Sequence, residues 1–138
     1  MNKSWKFYLR YKPYNTENDP YQSKKAKKQS RKFFKKYGFR EEETWGLNTA
    51  IAIYLLPRLA YLKEHIHSYS YPPWLEIFNE FGDKISSGYD EWIKILEKMI
   101  DGFEIIAEEQ VYSLDKEKAI KANEALDLFR KYYWYLRG

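Results

Sequence analysis

The segment from Thr44 to His67 constrains the fold of this chain more than any other. Its centre, Ala50-Ile51-Ala52-Ile53-Tyr54-Leu55-Leu56, is apolar at every position around the helical turn. A helix without a polar face needs neighbours on all sides. The pattern therefore predicts one long helix at the centre of a bundle, with Thr44 as its N-cap. Pro57 falls inside it, and its missing N–H and ring clash predict a bend. The 138 residues are those of one domain. A chain of that size hides roughly two-thirds of its unfolded surface, enough for a core of its own.

Helical spacing recurs downstream. Trp92, Leu96, Met99, Phe103 and Ile106, widened by Ile95 and Ile100, mark an amphipathic helix over about Asp90 to Glu109. Asp115 opens a last helix with Glu117 in its first turn, and Ile120, Ala122, Leu126, Phe129, Tyr133 and Leu136 form its expected buried face. Pro73 fits the first turn of a short helix reaching Phe81, and Gly82-Asp83 and Ser86-Ser87-Gly88 read as turns. Upstream, about Gln22 to Tyr37 reads as a basic helix closed by a left-handed Gly38. Residues 5–11 alternate, with Trp5, Phe7, Leu9 and Tyr11 on one side and Lys6, Tyr8 and Arg10 on the other. Period two predicts an extended segment, with a helix as the alternative. The expected architecture is all-α, a compact bundle of four to five helices with a central Pro-kinked helix: residues 1–40 form a basic, aromatic N-terminal arm with a helix, and residues 41–138 a helical bundle domain.

Charge divides the chain at the same place. Residues 1–40 carry a net charge of +11 and residues 41–138 a net charge of −7, leaving +4 overall. The densest cationic run is Lys24, Lys25, Lys27, Lys28, Arg31, Lys32, Lys35 and Lys36, which leaves Phe33, Phe34 and Tyr37 as an apolar stripe. Such a run fits a polyanion, through phosphate neutralisation and counterion release. It equally fits packing on the acidic body, its own or a neighbour's. Lys24, Lys25, Lys28, Arg31, Lys32 and Lys35 are the candidate anion-binding residues. Trp5, Tyr8 and Tyr11, interleaved with Lys6, Arg10 and Lys12, are candidates for stacking on bases or for a protein interface. The stripe is narrow for attachment to a membrane surface.

Other chemistry finds little support. Without cysteine there is no disulfide framework, thiolate metal site or thiol catalysis. His65 and His67 are two apart, about 200° around a helix, and share no metal-binding face. Glu41, Glu42 and Glu43 read as acidic residues ahead of a helix, offsetting its dipole; a metal site of Glu41, Glu43 and Asn48 is a minor alternative. Glu97, Asp101, Glu104 and Glu108 make an acidic stripe read as a solvated helix face. Trp45, Trp92, Phe103 and Phe129 are expected in the core, while Tyr132-Tyr133-Trp134-Tyr135 cannot all face one core. No glycine-rich phosphate loop is present. The expectation is a non-enzymatic protein with no catalytic residue, no metal and no cofactor. No apolar run reaches the roughly 18 residues of a membrane span, and Met1-Asn2-Lys3-Ser4 is no signal peptide. A soluble, cytoplasmic protein is expected.

Four blocks, in order over about residues 31–136, resemble a widespread family of small proteins of tailed bacteriophages. The first is Tyr37-Gly38-Phe39-Arg40-Glu41-Glu42-Glu43-Thr44-Trp45-Gly46-Leu47-Asn48. The second is Leu59 and Leu62 followed by Ser70-Tyr71-Pro72, and the third is Trp92 with Met99-Ile100-Asp101-Gly102-Phe103. The fourth is Glu124-Ala125-Leu126-Asp127-Leu128-Phe129-Arg130-Lys131-Tyr132-Tyr133. The family's Ser-Asp-x-Asp reads Arg40-Glu41-Glu42-Glu43 here, and a following Asp is Asn48. The resemblance implies residence in the host cytoplasm and no particular reaction.

Two functions follow as expectations. One is a phage accessory protein, a homo-oligomer whose basic aromatic arm binds nucleic acid, a nucleotide signal or a host nucleic-acid-binding complex, as in counter-defence. The other is an assembly protein whose arm packs on a neighbouring subunit.

Overall fold

Helix α3 (Gly88–Ala107) is the element around which the others assemble. The computed structural model describes residues 2–68, 70–78 and 80–138. Within α3 the expected face of Trp92, Leu96, Met99, Phe103 and Ile106 is buried, with Ile95 and Ile100 beside it. Each large apolar side chain so buried contributes about 1.5–3 kcal/mol. Ser87 caps the helix by accepting a hydrogen bond from the Tyr89 N–H at 3.1 Å. Asp90 and Glu91 follow in the first turn, where negative charge suits the dipole.

α3 packs between α2 (Leu47–His65) and α4 (Lys116–Tyr132). Its closest approach to α4 is at Gly102, where a Cβ would lie 2.2 Å from the Ala125 Cβ and 2.6 Å from the Lys121 carbonyl oxygen. Only a residue without a side chain fits there. This contact selects the face of α4 that turns inward. Ala122, Ala125 and Tyr132 are buried and Phe129 and Leu136 half-buried, whereas Ile120, Leu126 and Tyr133, expected inside, are exposed. Asp115 caps α4 by accepting from the Glu117 N–H at 3.0 Å.

The apolar helix α2 departs from expectation. It is not the most buried element; α3 is. Ala52, Leu56, Leu59 and Ala60 are buried, but Leu47, Ile51, Tyr54 and Tyr61 on the opposite face are 48–59% exposed. Helix α3, the N-terminal segment and the turn Glu41–Thr44 supply neighbours for only half of its circumference. The helix runs through Pro57, which is buried. Its start also differs. Thr44 belongs to a separate 3-10 turn, Glu41–Thr44, with its hydroxyl donating to the Glu41 carbonyl at 2.7 Å, and Gly46 stands at the N-cap of α2.

Two further elements correct the reading. Pro73–Leu75 is a 3-10 turn, and in place of a helix to Phe81 come two short antiparallel strands, β1 (Ile77–Phe78) and β2 (Lys84–Ser86). Asn79, within the expected helix, lies outside the described residues. Gly82 has φ +82° in the connecting turn, a conformation open to glycine at little cost. Residues 5–10 form a 3-10 helix, not a strand. With three residues per turn, Trp5, Tyr8 and Tyr11 fall on one side of it and face the bundle. Tyr8 is 2% exposed and belongs to the core.

Among the described residues no helix is long and apolar enough to cross a membrane. The fold is an all-α bundle of α2, α3 and α4, with the basic helix α1 (Lys24–Tyr37) before it.

Candidate anion-binding face

α1 forms where the sequence places it. The Ser23 hydroxyl accepts from the Ala26 N–H at 3.1 Å at one end, and Gly38 closes the other with φ +82° and its N–H on the Phe34 carbonyl at 2.8 Å. At about 100° per residue, the eight cations of α1 fall on one half of its circumference. Ala26, Ser30, Phe33 and Tyr37 occupy the other half. Lys24, Lys25, Lys28, Lys32, Lys35 and Lys36 are exposed, and Arg31 has 60% of its side chain in solvent. The result is a cationic ridge of +8 along about 21 Å of helix.

What holds α1 is polar. Its main neighbours are the 3-10 turns Thr16–Asn18 and Glu41–Thr44, and its one fully buried residue is Ser30. The Ser30 hydroxyl donates to the Glu42 carboxylate at 3.0 Å and accepts from Arg40 Nη1 at 3.0 Å. The Glu17 carboxylate bridges Arg31, at 3.1 Å, and Arg40, at 2.7 Å. The Arg40 N–H in turn donates to Glu43 at 2.9 Å, and the Arg40 guanidinium lies 5.0 Å from the Phe34 ring centre. Glu42 and Glu43 thus fasten α1; they do not cap α2. Nothing in the spacing of Ser30 and Glu42 announces this pair. An isolated serine on the apolar side of a basic helix was the available signal.

Few of the other cations are engaged: Lys36 lies 5.1 Å from the Tyr37 ring centre, and Lys27 helps to lower the Asp19 pKa. Among the described residues Arg31 is the one α1 cation in an ion pair, and none pairs with an acid of residues 41–138. α1 meets residues 41–138 at the turn Glu41–Thr44, through Ser30 and Glu42 and not through its cations. Lys24 and Lys25 stand in the first turn, which holds no acid. There they oppose the positive end of the helix dipole, an arrangement that an anion relieves.

The candidate stacking residues lie elsewhere. Trp5 meets the Tyr61 ring edge-on at 5.3 Å, and its backbone N–H donates to Glu64 at 3.4 Å. The Tyr8 hydroxyl accepts from the Lys3 N–H at 3.3 Å, and burial raises its pKa. Tyr11 donates to Glu108, and burial together with that carboxylate raises its pKa strongly. Asn2 Nδ2 donates to Asp101 at 2.7 Å. The acidic stripe is therefore partly roofed by residues 2–11 and is not a plain solvated face. Burial raises the pKa of both Asp101 and Glu104, and Glu108 beside Glu104 adds to the second shift.

The remaining candidates do not converge. Glu43 serves Arg40, while Asn48 donates to the Tyr112 hydroxyl at 3.0 Å. Among the described residues no group of three or more His, Asp or Glu could hold a metal ion. His65 stacks on Tyr61 at 3.9 Å with its ring nitrogen 2.9 Å from the Tyr61 carbonyl oxygen. Trp92 and Phe103 are core as expected, but Trp45 is 65% exposed, 5.9 Å from Tyr14. In the terminal run Tyr132 is buried and Trp134 is exposed. No family model matches this chain, and no curated protein or solved structure matches it.

Proposed function

We propose that this chain is a non-enzymatic binding protein that engages a dense polyanion, a nucleic-acid backbone above all, through the cationic half of α1. One observation carries the reading. Eight cations share one helix face, a single one of them is neutralised within the described chain, and two stand against the helix dipole. Counterion release from a phosphate backbone would supply the affinity, and relief of self-repulsion along α1 would add to it. The bundle then serves as the platform. The aromatic residues 5–11 belong to that platform and supply no stacking surface at Tyr8. The resemblance to small tailed-phage proteins is in keeping with an accessory role in the host cytoplasm.

Fluorescence anisotropy with labelled single-stranded and duplex oligonucleotides tests this. Binding that weakens steeply with salt, and is lost when Lys24, Lys25, Lys28 and Lys32 are replaced by Glu, is the expected result. Absence of binding at low salt, with association of the chain itself weakening as salt rises, would favour the assembly reading instead.

A further inference from the structure

The outward face of α2 carries Leu47, Ile51, Tyr54, Arg58, Tyr61 and His65, spaced four, three, four, three and four apart. That is the period of an a/d seam in a two-helix coiled coil. All six are exposed, and the four large apolar ones by about half. The inner face of the same helix is already buried on α3, so α2 is apolar on both sides with one side covered. We infer that this seam pairs, antiparallel, with the same seam of a second copy of the chain.

Four observations fix the occupant. The seam runs unbroken for about 27 Å, the whole of α2. Its two polar members suit one orientation. Parallel pairing would set Arg58 against Arg58 and His65 against His65. Antiparallel pairing about a two-fold axis near Leu56 sets Leu47 opposite His65, Ile51 opposite Tyr61, and Tyr54 opposite Arg58. Arg58 already lies over an aromatic face, 3.7 Å from the Tyr54 ring centre, with its Nη1 donating to the Tyr54 carbonyl at 2.8 Å. A second tyrosine across the axis would sandwich it.

Two open apolar grooves adjoin the seam, one toward each end of α2, and Arg58 and Tyr61 line the first while Ile51 lines the second. The first, of about 670 Å³, is also lined by Trp5, Leu9, Pro57 and Leu136; the second, of about 390 Å³, by Phe103, Tyr112 and Leu126. Large apolar side chains of a second copy's seam would fill such grooves and withdraw their surface from water. Finally, the accessible surface is 9924 Å² for 16.9 kDa. A compact monomer of that mass shows roughly 7,700 Å². The projecting α1 accounts for part of the surplus. A surplus of that size also leaves room for the about 800 Å² per partner that a stable interface covers.

Because the chain has no cysteine, single-cysteine variants report the pairing cleanly. Opposed positions can form a disulfide only with Cα atoms within about 7 Å. Leu47→Cys and His65→Cys, mixed and oxidised, should cross-link to each other, while neither cross-links alone, since like positions lie about 27 Å apart across the axis. Sedimentation should show a wild-type dimer insensitive to salt, and Tyr54→Lys, at an exposed site, should be monomeric with unchanged circular dichroism. If Tyr54→Lys unfolds, the cross-links decide. A wild-type monomer at every concentration, a dimer untouched by a folded Tyr54→Lys, or cross-linking of either cysteine variant alone would overturn the inference. Salt-insensitivity separates it from any association driven by α1.

Discussion

Two stretches of the first forty residues share a composition and meet opposite fates. Residues 2–11 and α1 are both basic and aromatic, yet the first is built into the bundle and the second stands beside it. The difference lies in where the aromatic residues fall. In the 3-10 helix Trp5, Tyr8 and Tyr11 recur every third residue and form one apolar face, with Lys6 and Arg10 left outside. Arg10 there lies 4.7 Å from the Phe7 ring centre. In α1 the apolar side is interrupted by Ser30, and Phe34 and Tyr37 remain 47% and 53% exposed. Charge density therefore does not identify a binding surface. A cation-rich stretch is left free to serve as one when its apolar side is too poor to dock.

Tyr8→Ala should break this comparison most forcefully. It deletes a core ring and is expected to cost about 3–5 kcal/mol in chemical denaturation. A loss under about 1 kcal/mol would mean residues 2–11 are a detachable arm after all.

Arg40→Ala should act on the other region. It strips partners from Ser30 and Glu17, for a cost of about 1–3 kcal/mol. Hydrogen exchange is expected to rise along α1 while α3 keeps its protection. Uniform loss of protection would place α1 inside the cooperative core.

The carboxylates of the two regions should also differ in their response to pH. Burial holds Asp101 and Glu104 above their ordinary values of 3.8 and 4.5, so the folded chain binds their protons more readily than the unfolded one. The stability linked to that uptake is fully present below the ordinary values and lost as pH rises through the raised ones. Mild acidification from neutrality should therefore stabilise the protein, mainly through the half-buried Glu104. Glu104→Gln should flatten the rise. Asp19, in the loop before α1, behaves oppositely: the Tyr21 N–H on its carboxylate lowers its pKa, so its contribution is lost only at lower pH. A midpoint that falls steadily from pH 7 would refute the burial of the acidic stripe beneath residues 2–11.

The smallest effect on stability is expected from α1's own charges. Replacing Lys24, Lys25, Lys28 and Lys32 with Glu should leave the unfolding midpoint unchanged or slightly higher, because exposed charges contribute little and two of the new acids would suit the dipole. Unfolding of that variant would show the cations to be structural.

Much of the bundle was legible in the chain. The faces of α3, the N-cap Asp115 and the end of α1 at Gly38 all follow from local spacing and cap chemistry. Burial of α2 did not, because apolar content states what a helix can bury and not how many neighbours it will have. Thr44 misled because Gly46 breaks the run between it and Leu47. The segment 5–11 satisfies period two and period three alike, and only the receiving surface of α2 and α3 decides between them. Of the candidate site, the cationic residues were readable as a set. The Ser30–Glu42 and Glu17–Arg40 fastenings were not, since they join residues 12 and 23 apart by geometry alone.

The salt dependence of oligonucleotide affinity, compared between two sets of variants, tests the central claim most directly. Each phosphate contact contributes about −0.9 to the slope of log K against log salt on a duplex. Lys24→Ala, Lys28→Ala and Lys32→Ala should each reduce the slope by about one contact, whereas Lys3→Ala and Lys6→Ala should leave it unchanged. Equal reductions from both sets, or a slope indifferent to the α1 variants, would contradict the assignment of α1 as the binding face.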